Sequence, residues 1–129
     1  KIFGGYDIYT HNGTKKATVG LEKYISELQS LGVGEIVINS IDNDGVMKGY
    51  DVSLIEKVKP LVEVPMTVLG GASSLNDIKT LIEKFGIIGC AAGSLFVFKG
   101  KYKAVLINYP RSEEKEKLIQ DNKIEVMHV

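Results

Sequence analysis

The sequence contains one cysteine and has no excess of positive or negative residues. Its single cysteine, Cys90, has no second cysteine to pair with, which excludes an internal disulfide. The neighbours in "IIGCAAG" are apolar and small, so we interpret Cys90 as a buried, reduced thiol and expect a cytoplasmic protein. Sixteen basic and sixteen acidic residues cancel, and a neutral chain has no overall field that would attract nucleic acid or an anionic membrane surface. We therefore expect neither as a partner.

Long apolar runs are also absent. No stretch approaches the roughly 20 apolar residues that a transmembrane helix needs, and the N-terminal residues lack the charged, apolar and cleavage regions of a signal peptide. A chain of 129 residues suffices for one domain. It begins with Lys1 rather than methionine, from which we expect a fragment, a processed form or a sequence without its start.

Three continuous apolar runs alternate with helical patterns. The runs are typical of parallel strands with both faces covered, and they span 35–40, 64–69 and 87–92. The helices between and before them have start and stop signals: a stop at Gly32, a Ser53 cap with Pro60 at the end, and a Ser74–Asp77 capping pair. The alternation predicts an α/β fold with a parallel sheet, and both a doubly wound sheet and a barrel segment fit it.

The two ends of the chain follow other patterns. Residues 1–16 are hairpin-like because Asn12-Gly13 is a turn signal. The βα units extend over about 17–121, where we expect "KYKAVLINYP" and "RSEEKEKLIQ" to be helical pieces separated by Pro110, and 122–129 form a tail without a strong signal. We predict one partial domain over 1–129.

The carboxyl ends of the predicted strands are the expected ligand site, as in other parallel α/β folds. They read "NSIDNDG", "VLGGASS" and "AAGSLF". Glycine lets an oxyanion approach the backbone, and the helix start that follows offers free N–H groups. We therefore predict a phosphate site made of four residues, namely Gly70, Gly71, Gly93 and Ser94. The alternative is that these glycines only turn the chain or allow close packing.

The first strand end supplies an acid. A carboxylate beside an anchored phosphate can accept or donate a proton. Asp44 is preferred to Asp42 because Gly45 frees the backbone directly after it, whereas Asp42 fits a turn-stabilising role. A phosphate site of this kind follows strands 7 and 8 of a (βα)8 barrel, which would make 35–40 the sixth strand.

Glu35 lies at the opposite end of that strand. Strand alternation places Glu35, Val37 and Asn39 on one side. If Asn39 lines the substrate site, Glu35 faces the bottom of a barrel interior, where a carboxylate needs a basic partner. The alternative is a solvated residue at the start of a strand.

The motifs "SIDNDG…GYD", "GGA" and "AAGSLFVF", within 19–98, resemble the C-terminal half of HisF, the cyclase subunit of imidazole glycerol phosphate synthase. The resemblance implies a (βα)8 barrel of two half-barrels, a lyase of histidine biosynthesis with a phosphorylated substrate. A glutaminase partner would supply ammonia through the barrel interior, and no metal or cofactor is implied. Asp44 matches a supporting acid, Glu35 a member of the ammonia gate, and the glycine junctions one phosphate site.

The resemblance also has departures. The two principal catalytic aspartates of that family would fall outside this chain, so we expect the chain alone to be inactive and to need self-association or an N-terminal half-barrel. Asn39 and Leu69 stand where histidine-pathway proteins carry threonine and serine. "NSID", "LGG" and "FKGKYKAVLINYP" are similar to a HisF-like branch found with surface-glycan genes, which is thought to work with an amidotransferase on a nucleotide sugar. A non-catalytic phosphate-binding scaffold is a third alternative.

Overall fold

The computed structural model describes residues 5–86, 88–100 and 102–126. The helices are Leu21–Ser30 (α1), Val52–Val58 (α2), Leu75–Phe85 (α3), Ser94–Val97 (α4) and Ser112–Val126 (α5). The strands are Tyr9–Thr10 (β1), Lys15–Lys16 (β2), Ile36–Asn39 (β3), Met66–Leu69 (β4), Gly89–Cys90 (β5), Phe98–Lys99 (β6) and Ala104–Val105 (β7). Within these residues, no helix combines the length and apolar character needed to span a bilayer.

The central sheet is parallel, with the strand order β3-β4-β5. Asn39 lies opposite Leu69 in the β3–β4 pair, and Val68 lies opposite Cys90 in the β4–β5 pair. The amide of Ser40 donates to the Leu69 carbonyl at 3.1 Å, and the amide of Ala91 donates to the Val68 carbonyl at 2.8 Å. The carboxyl ends of the three strands therefore meet at one edge, as predicted.

The hydrophobic core lies on one face of this sheet. The helices contribute Ile25, Ile55, Val58 and Leu81, and the strands contribute Ile36, Met66 and Val68. On the opposite face, Val37 is 58% exposed, and Glu35 and Asn39 are exposed beside it. The prediction that both faces are covered is therefore wrong for the described residues, because their helices pack against only one side.

The start of α2 differs from the prediction. Its N-cap is Asp51, whose carboxylate accepts a hydrogen bond from the Leu54 amide at 3.0 Å. The Tyr6 hydroxyl also donates to Asp51, at 2.9 Å, and this tertiary contact selects the cap two residues before Ser53. Pro60 lies in a short 3-10 turn, Lys59–Leu61, after α2 has ended at Val58.

Two other local predictions are confirmed. The capping box of Ser74 and Asp77 opens α3, which runs to Phe85 and stops at Gly86. Near the N-terminus, β1 and β2 form an antiparallel hairpin, with Tyr9 opposite Lys16. Residues 1–4 of the predicted hairpin-like segment lie outside the described residues.

In the described part of "KYKAVLINYP", residues 102–103 form a turn and Ala104–Val105 a strand, so the helix predicted there is wrong. Gly100 and Lys103 have φ of +75° and +48° and reverse the chain, and β6 and β7 then pair antiparallel. The predicted helix after Pro110 is confirmed as α5, which reaches Val126 and so enters the predicted tail. Residues 127–129 of that tail lie outside the described residues.

Candidate functional site

The three strand ends form one concave site. It is lined by residues from the loop after β3 and from the junctions after β4 and β5, namely Asp44, Gly45, Met47, Leu69, Gly70, Gly71, Ala72, Ala92, Gly93 and Ser94. The structure therefore brings together the predicted acid and all four residues of the predicted phosphate site. Asn39 lies beside this group at the end of β3.

The junction after β4 requires glycine for packing. Gly70 and Gly71 have φ of +96° and +103°, which side chains rarely adopt. A Cβ on Gly70 would lie 2.7 Å from the Asn39 Oδ1 and from the Ser40 carbonyl oxygen, and a Cβ on Gly71 would overlap the Gly49 carbonyl. Close packing was the alternative left open for these glycines, and it is enough to explain why both positions are glycine.

The start of α3 is occupied by its own side chains. The Asp77 Oδ2 accepts hydrogen bonds from the Ser73 amide at 2.8 Å, the Ser73 hydroxyl at 2.7 Å and the Ser74 amide at 3.0 Å. Burial acts to raise the pKa of Asp77, but the bonds from Ser73 and Ser74 together outweigh it and lower the pKa below its usual value. The expectation of free N–H groups is therefore wrong for the amides of Ser73 and Ser74.

The junction after β5 is less tightly packed than the junction after β4. Gly93 is exposed, and no atom lies within 4 Å of the position that its Cβ would take. Its carbonyl accepts the amides of Phe96 and Val97 at 3.0 and 3.2 Å as α4 begins. Within the described part of the chain, no acceptor is found for the amides of Gly93 and Ser94. Packing gives no reason for glycine at position 93, in contrast to position 71.

Asp44 lies at the rim of the site with its side chain exposed. Its Oδ2 accepts a hydrogen bond from the Asn39 Nδ2 at 3.4 Å, so the amide at the end of β3 orients the carboxylate. Asp42 is exposed too, and no hydrogen bond of its carboxylate is found among the described residues. The turn-stabilising bond expected of Asp42 is thus not seen there.

Tyr50 makes a contact with the site that was not predicted from the sequence. This side chain is 7% exposed, and its hydroxyl donates to the Ala91 carbonyl at 3.0 Å. Burial raises the pKa of Tyr50 above its usual range, so the hydroxyl stays a donor at neutral pH. The signal in the sequence was an aromatic residue with a polar tip, placed between Gly49 and the helix cap Asp51.

Glu35 lies just before β3, at the opposite end from Asp44. Its Oε1 accepts a hydrogen bond from the Thr67 hydroxyl at 2.6 Å. A Cβ on Gly89 would overlap the Thr67 side chain, so the small residue on β5 makes room for this donor. The basic partner expected for Glu35 is not found in the described ranges.

The described residues contain neither a cluster of potential metal ligands nor a thiol with a lowered pKa. No group of three or more histidine, cysteine, aspartate or glutamate side chains that could hold a metal is found there. Cys90 is half-buried and free, and burial raises the pKa of its thiol to about 11. It is therefore a protonated thiol at neutral pH, and it is less buried than we predicted from its small apolar neighbours.

Comparison with known proteins assigns the family. The model of the histidine biosynthesis protein family matches residues 2–103. A Vibrio vulnificus protein provisionally named as imidazole glycerol phosphate synthase subunit hisF3 is 55% identical over 121 residues, 93% of this chain and 46% of that protein. A Leptospira interrogans protein, provisionally named as subunit HisF of the same synthase, is 55% identical over 113 residues, 88% of this chain and 44% of that protein.

A further relative is named as a HisF subunit without qualification. The imidazole glycerol phosphate synthase subunit HisF of Corynebacterium diphtheriae is 38% identical over 94 residues, 73% of this chain and 36% of that protein. The chain thus spans less than half the length of each of these relatives. It belongs to the histidine biosynthesis protein family, with HisF subunits of imidazole glycerol phosphate synthase among its relatives.

Proposed function

We propose that this chain is the C-terminal half of a HisF-type cyclase barrel, and that it binds a substrate phosphate with Asp44 beside it. The observation that carries the proposal is the meeting of Asp44 with both glycine junctions in one concave site. Ligands of parallel α/β proteins bind at this end of the strands. The family and the names of the relatives favour a synthase subunit over an unrelated phosphate binder.

The open face of the central sheet supports the half-barrel. Val37, in the middle of β3, exposes more than half of its apolar side chain, and a β-branched residue at that place normally contacts other residues. The strand order β3-β4-β5 with helices on one face suits a barrel segment whose interior is the open face. A second half-barrel, from the same protein or from another copy, would cover it.

The phosphate would contact the backbone rather than a cationic side chain. The amides of Gly93 and Ser94 and the Ser94 hydroxyl are available as donors, and Gly71 brings the other junction close to them. Backbone N–H groups that converge on one point are a common cradle for phosphate. Since Asp77 occupies the start of α3, the contacts would involve the residues before that helix.

Asp44 would assist the chemistry as a supporting acid or base, oriented by Asn39. In the proposed reaction, ammonia from a glutaminase partner reacts with a phosphorylated ribonucleotide. Imidazole glycerol phosphate forms, and an aminoimidazole carboxamide ribotide is released. The principal aspartates would come from the other half of the barrel, so the 129-residue chain alone should show negligible turnover.

Glu35 would act at the entrance for ammonia. It lies at the end of β3 opposite Asp44, on the same open face of the sheet. A carboxylate there, held by Thr67, could accept a hydrogen bond from the incoming ammonia and lies on the side where a glutaminase would dock. The substrate and ammonia ends would then be separated by the length of the strand.

A second function is favoured by the pattern of identities. The chain is 55% identical to the provisionally named relatives but 38% identical to the Corynebacterium subunit. Asn39, which stands where histidine-pathway proteins carry threonine, contacts Asp44 directly. The alternative is a paralogue that delivers ammonia for amidation of a nucleotide sugar.

The test is an assay of the full-length protein that contains this chain, supplied with the ribonucleotide and ammonia. Formation of imidazole glycerol phosphate, reduced about 100-fold or more by Asp44→Asn, would support the first function. No such product, but amidation of a nucleotide sugar beside an amidotransferase, would favour the second. Glycerol phosphate binding without either reaction would favour a non-catalytic scaffold.

A further inference from the structure

The loop that contains Asp44 is attached to both glycine junctions. At the end of this loop, the Gly49 amide donates to the Gly71 carbonyl at 2.8 Å. The next residue, Tyr50, donates its hydroxyl to the Ala91 carbonyl at 3.0 Å. The first bond reaches the junction after β4 and the second reaches the junction after β5. Two consecutive residues therefore connect the acid loop to both halves of the proposed phosphate site.

The Tyr50 bond also fixes the direction of a backbone amide. The carbonyl of Ala91 and the N–H of Ala92 share one planar trans peptide, so they point in opposite directions. With the carbonyl held by Tyr50, the Ala92 N–H is turned away from Tyr50, and Ala92 lines the concave site. The Ala91 amide is bound to the Val68 carbonyl at 2.8 Å, so this residue is held through both of its backbone groups.

Tyr50 itself is buried in the core. Its ring belongs to the hydrophobic core and contacts the same cluster as Leu54 and Val68. The hydroxyl is the only part of the side chain that can hydrogen-bond, and a buried donor of this kind is costly to leave without an acceptor. The Ala91 carbonyl meets that need, so breaking this bond would leave a buried hydroxyl without its acceptor.

We propose that Tyr50 is a positioning residue that couples the phosphate site to the acid loop, by holding the Ala91 carbonyl so that the amides after β5 face the anion. This inference rests on the proposed phosphate site and adds to it a residue that does not touch the ligand. Coupling between two sites is reciprocal. Anion binding therefore slows opening of the loop over 43–50, and loss of the Tyr50 hydroxyl weakens anion binding.

The test compares Tyr50→Phe with Tyr6→Phe in the full chain. Both variants remove one hydroxyl from a tyrosine that packs at the core, but the Tyr6 hydroxyl donates to Asp51, the cap of α2. Glycerol phosphate is the probe and glycerol is the control ligand. The readouts are the Kd from amide chemical shifts at Gly93 and Ser94, and hydrogen exchange over 43–50.

We expect Tyr50→Phe to raise the Kd for glycerol phosphate about five- to tenfold. In this variant, glycerol phosphate should no longer slow hydrogen exchange over 43–50. In Tyr6→Phe, the Kd and the slowing of exchange should be those of the wild type. If Tyr50→Phe binds as the wild type does and its loop is protected as well, the inference is overturned while the phosphate site stands. If the wild type does not bind glycerol phosphate, the proposed site fails and the inference with it. Should Tyr50→Phe not fold, exchange in the wild type decides, since loop exchange that glycerol phosphate does not slow contradicts the coupling.

Discussion

The carbonyl of Gly71 accepts a hydrogen bond from the amide of Gly49 at 2.8 Å, and a Cβ on Gly71 would overlap the carbonyl of Gly49. Two glycines, 22 positions apart in the sequence, thus place the loop after β3 against the junction after β4. The contact is made by backbone on both sides, so neither partner can yield by a change of rotamer. It fixes the distance between the Asp44 loop and the proposed phosphate site.

Gly71→Ala should lower the free energy of unfolding by about 1–3 kcal/mol, because the Cβ meets backbone and φ is +103°. Chemical denaturation measures this change. Gly34→Ala is the matched control, since Gly34 has no atom within 4 Å of its Cβ position and no positive φ. Equal stability of the two variants would mean that the Gly49–Gly71 approach is looser than described.

Asp51→Ala should destabilise the protein by about 1 kcal/mol or more, because it removes the cap of α2 and the acceptor of the Tyr6 hydroxyl. Ser53→Ala should change stability little, since Ser53 is exposed and lies inside the helix. Thermal unfolding of both variants decides which residue is the cap. A larger loss in Ser53→Ala would restore Ser53 as the cap, as the sequence suggested.

Asp77→Asn should lower the free energy of unfolding at neutral pH. It should also make this free energy less dependent on pH in the acid range. The folded-state pKa of Asp77 lies below the ordinary value of 3.8, so its contribution is present above pH 3.8 and is lost as the pH falls through the folded-state pKa. Denaturation curves from pH 7 to pH 2 measure the effect. If wild type and Asp77→Asn lose stability in parallel below pH 4, the bonds from Ser73 and Ser74 do not favour the carboxylate.

In the full-length protein with its glutaminase, Thr67→Val should make the synthesis less able to use ammonia released from glutamine. It removes the donor that holds Glu35 while it keeps the shape of a β-branched residue. We expect the ratio of glutamine-dependent to ammonia-dependent rate to fall, and Thr67→Ser to retain most of it. A fall in both rates by the same factor would instead indicate a general loss of structure and contradict a role at the ammonia entrance.

The local elements were predictable where the signal lies within a few residues. The Ser74–Asp77 capping box and the Asn12-Gly13 turn are of this kind, and both were found. The cap of α2 was not predictable because Asp51 is selected by Tyr6, 45 residues away in sequence. The extended course of 104–108 was missed because it depends on pairing with the chain around α4, where the Leu106 amide donates to the Val97 carbonyl.

The candidate site was predictable in its residues but not in its internal bonds. Since parallel strands end at one edge, Asp44, Gly71 and Gly93 could be placed together from the sequence. The occupation of the α3 start by Asp77 and the bond from Tyr50 to Ala91 could not, because each depends on side-chain geometry across several elements. The open face around Val37 was not predicted. An apolar run in the sequence indicates residues that can be buried, but it does not show which other residues bury them.

Glycerol phosphate affinity after Gly93→Asp tests the central claim most directly. Because the space beside Gly93 is open, the variant should fold and place a negative charge among the backbone donors, where repulsion of a phosphate costs about tenfold or more in affinity. Gly34→Asp, with equally open space outside the site, is the control. We predict that calorimetric titration gives a Kd raised at least about tenfold in Gly93→Asp and unchanged in Gly34→Asp, and an equal Kd in both variants would contradict the phosphate site.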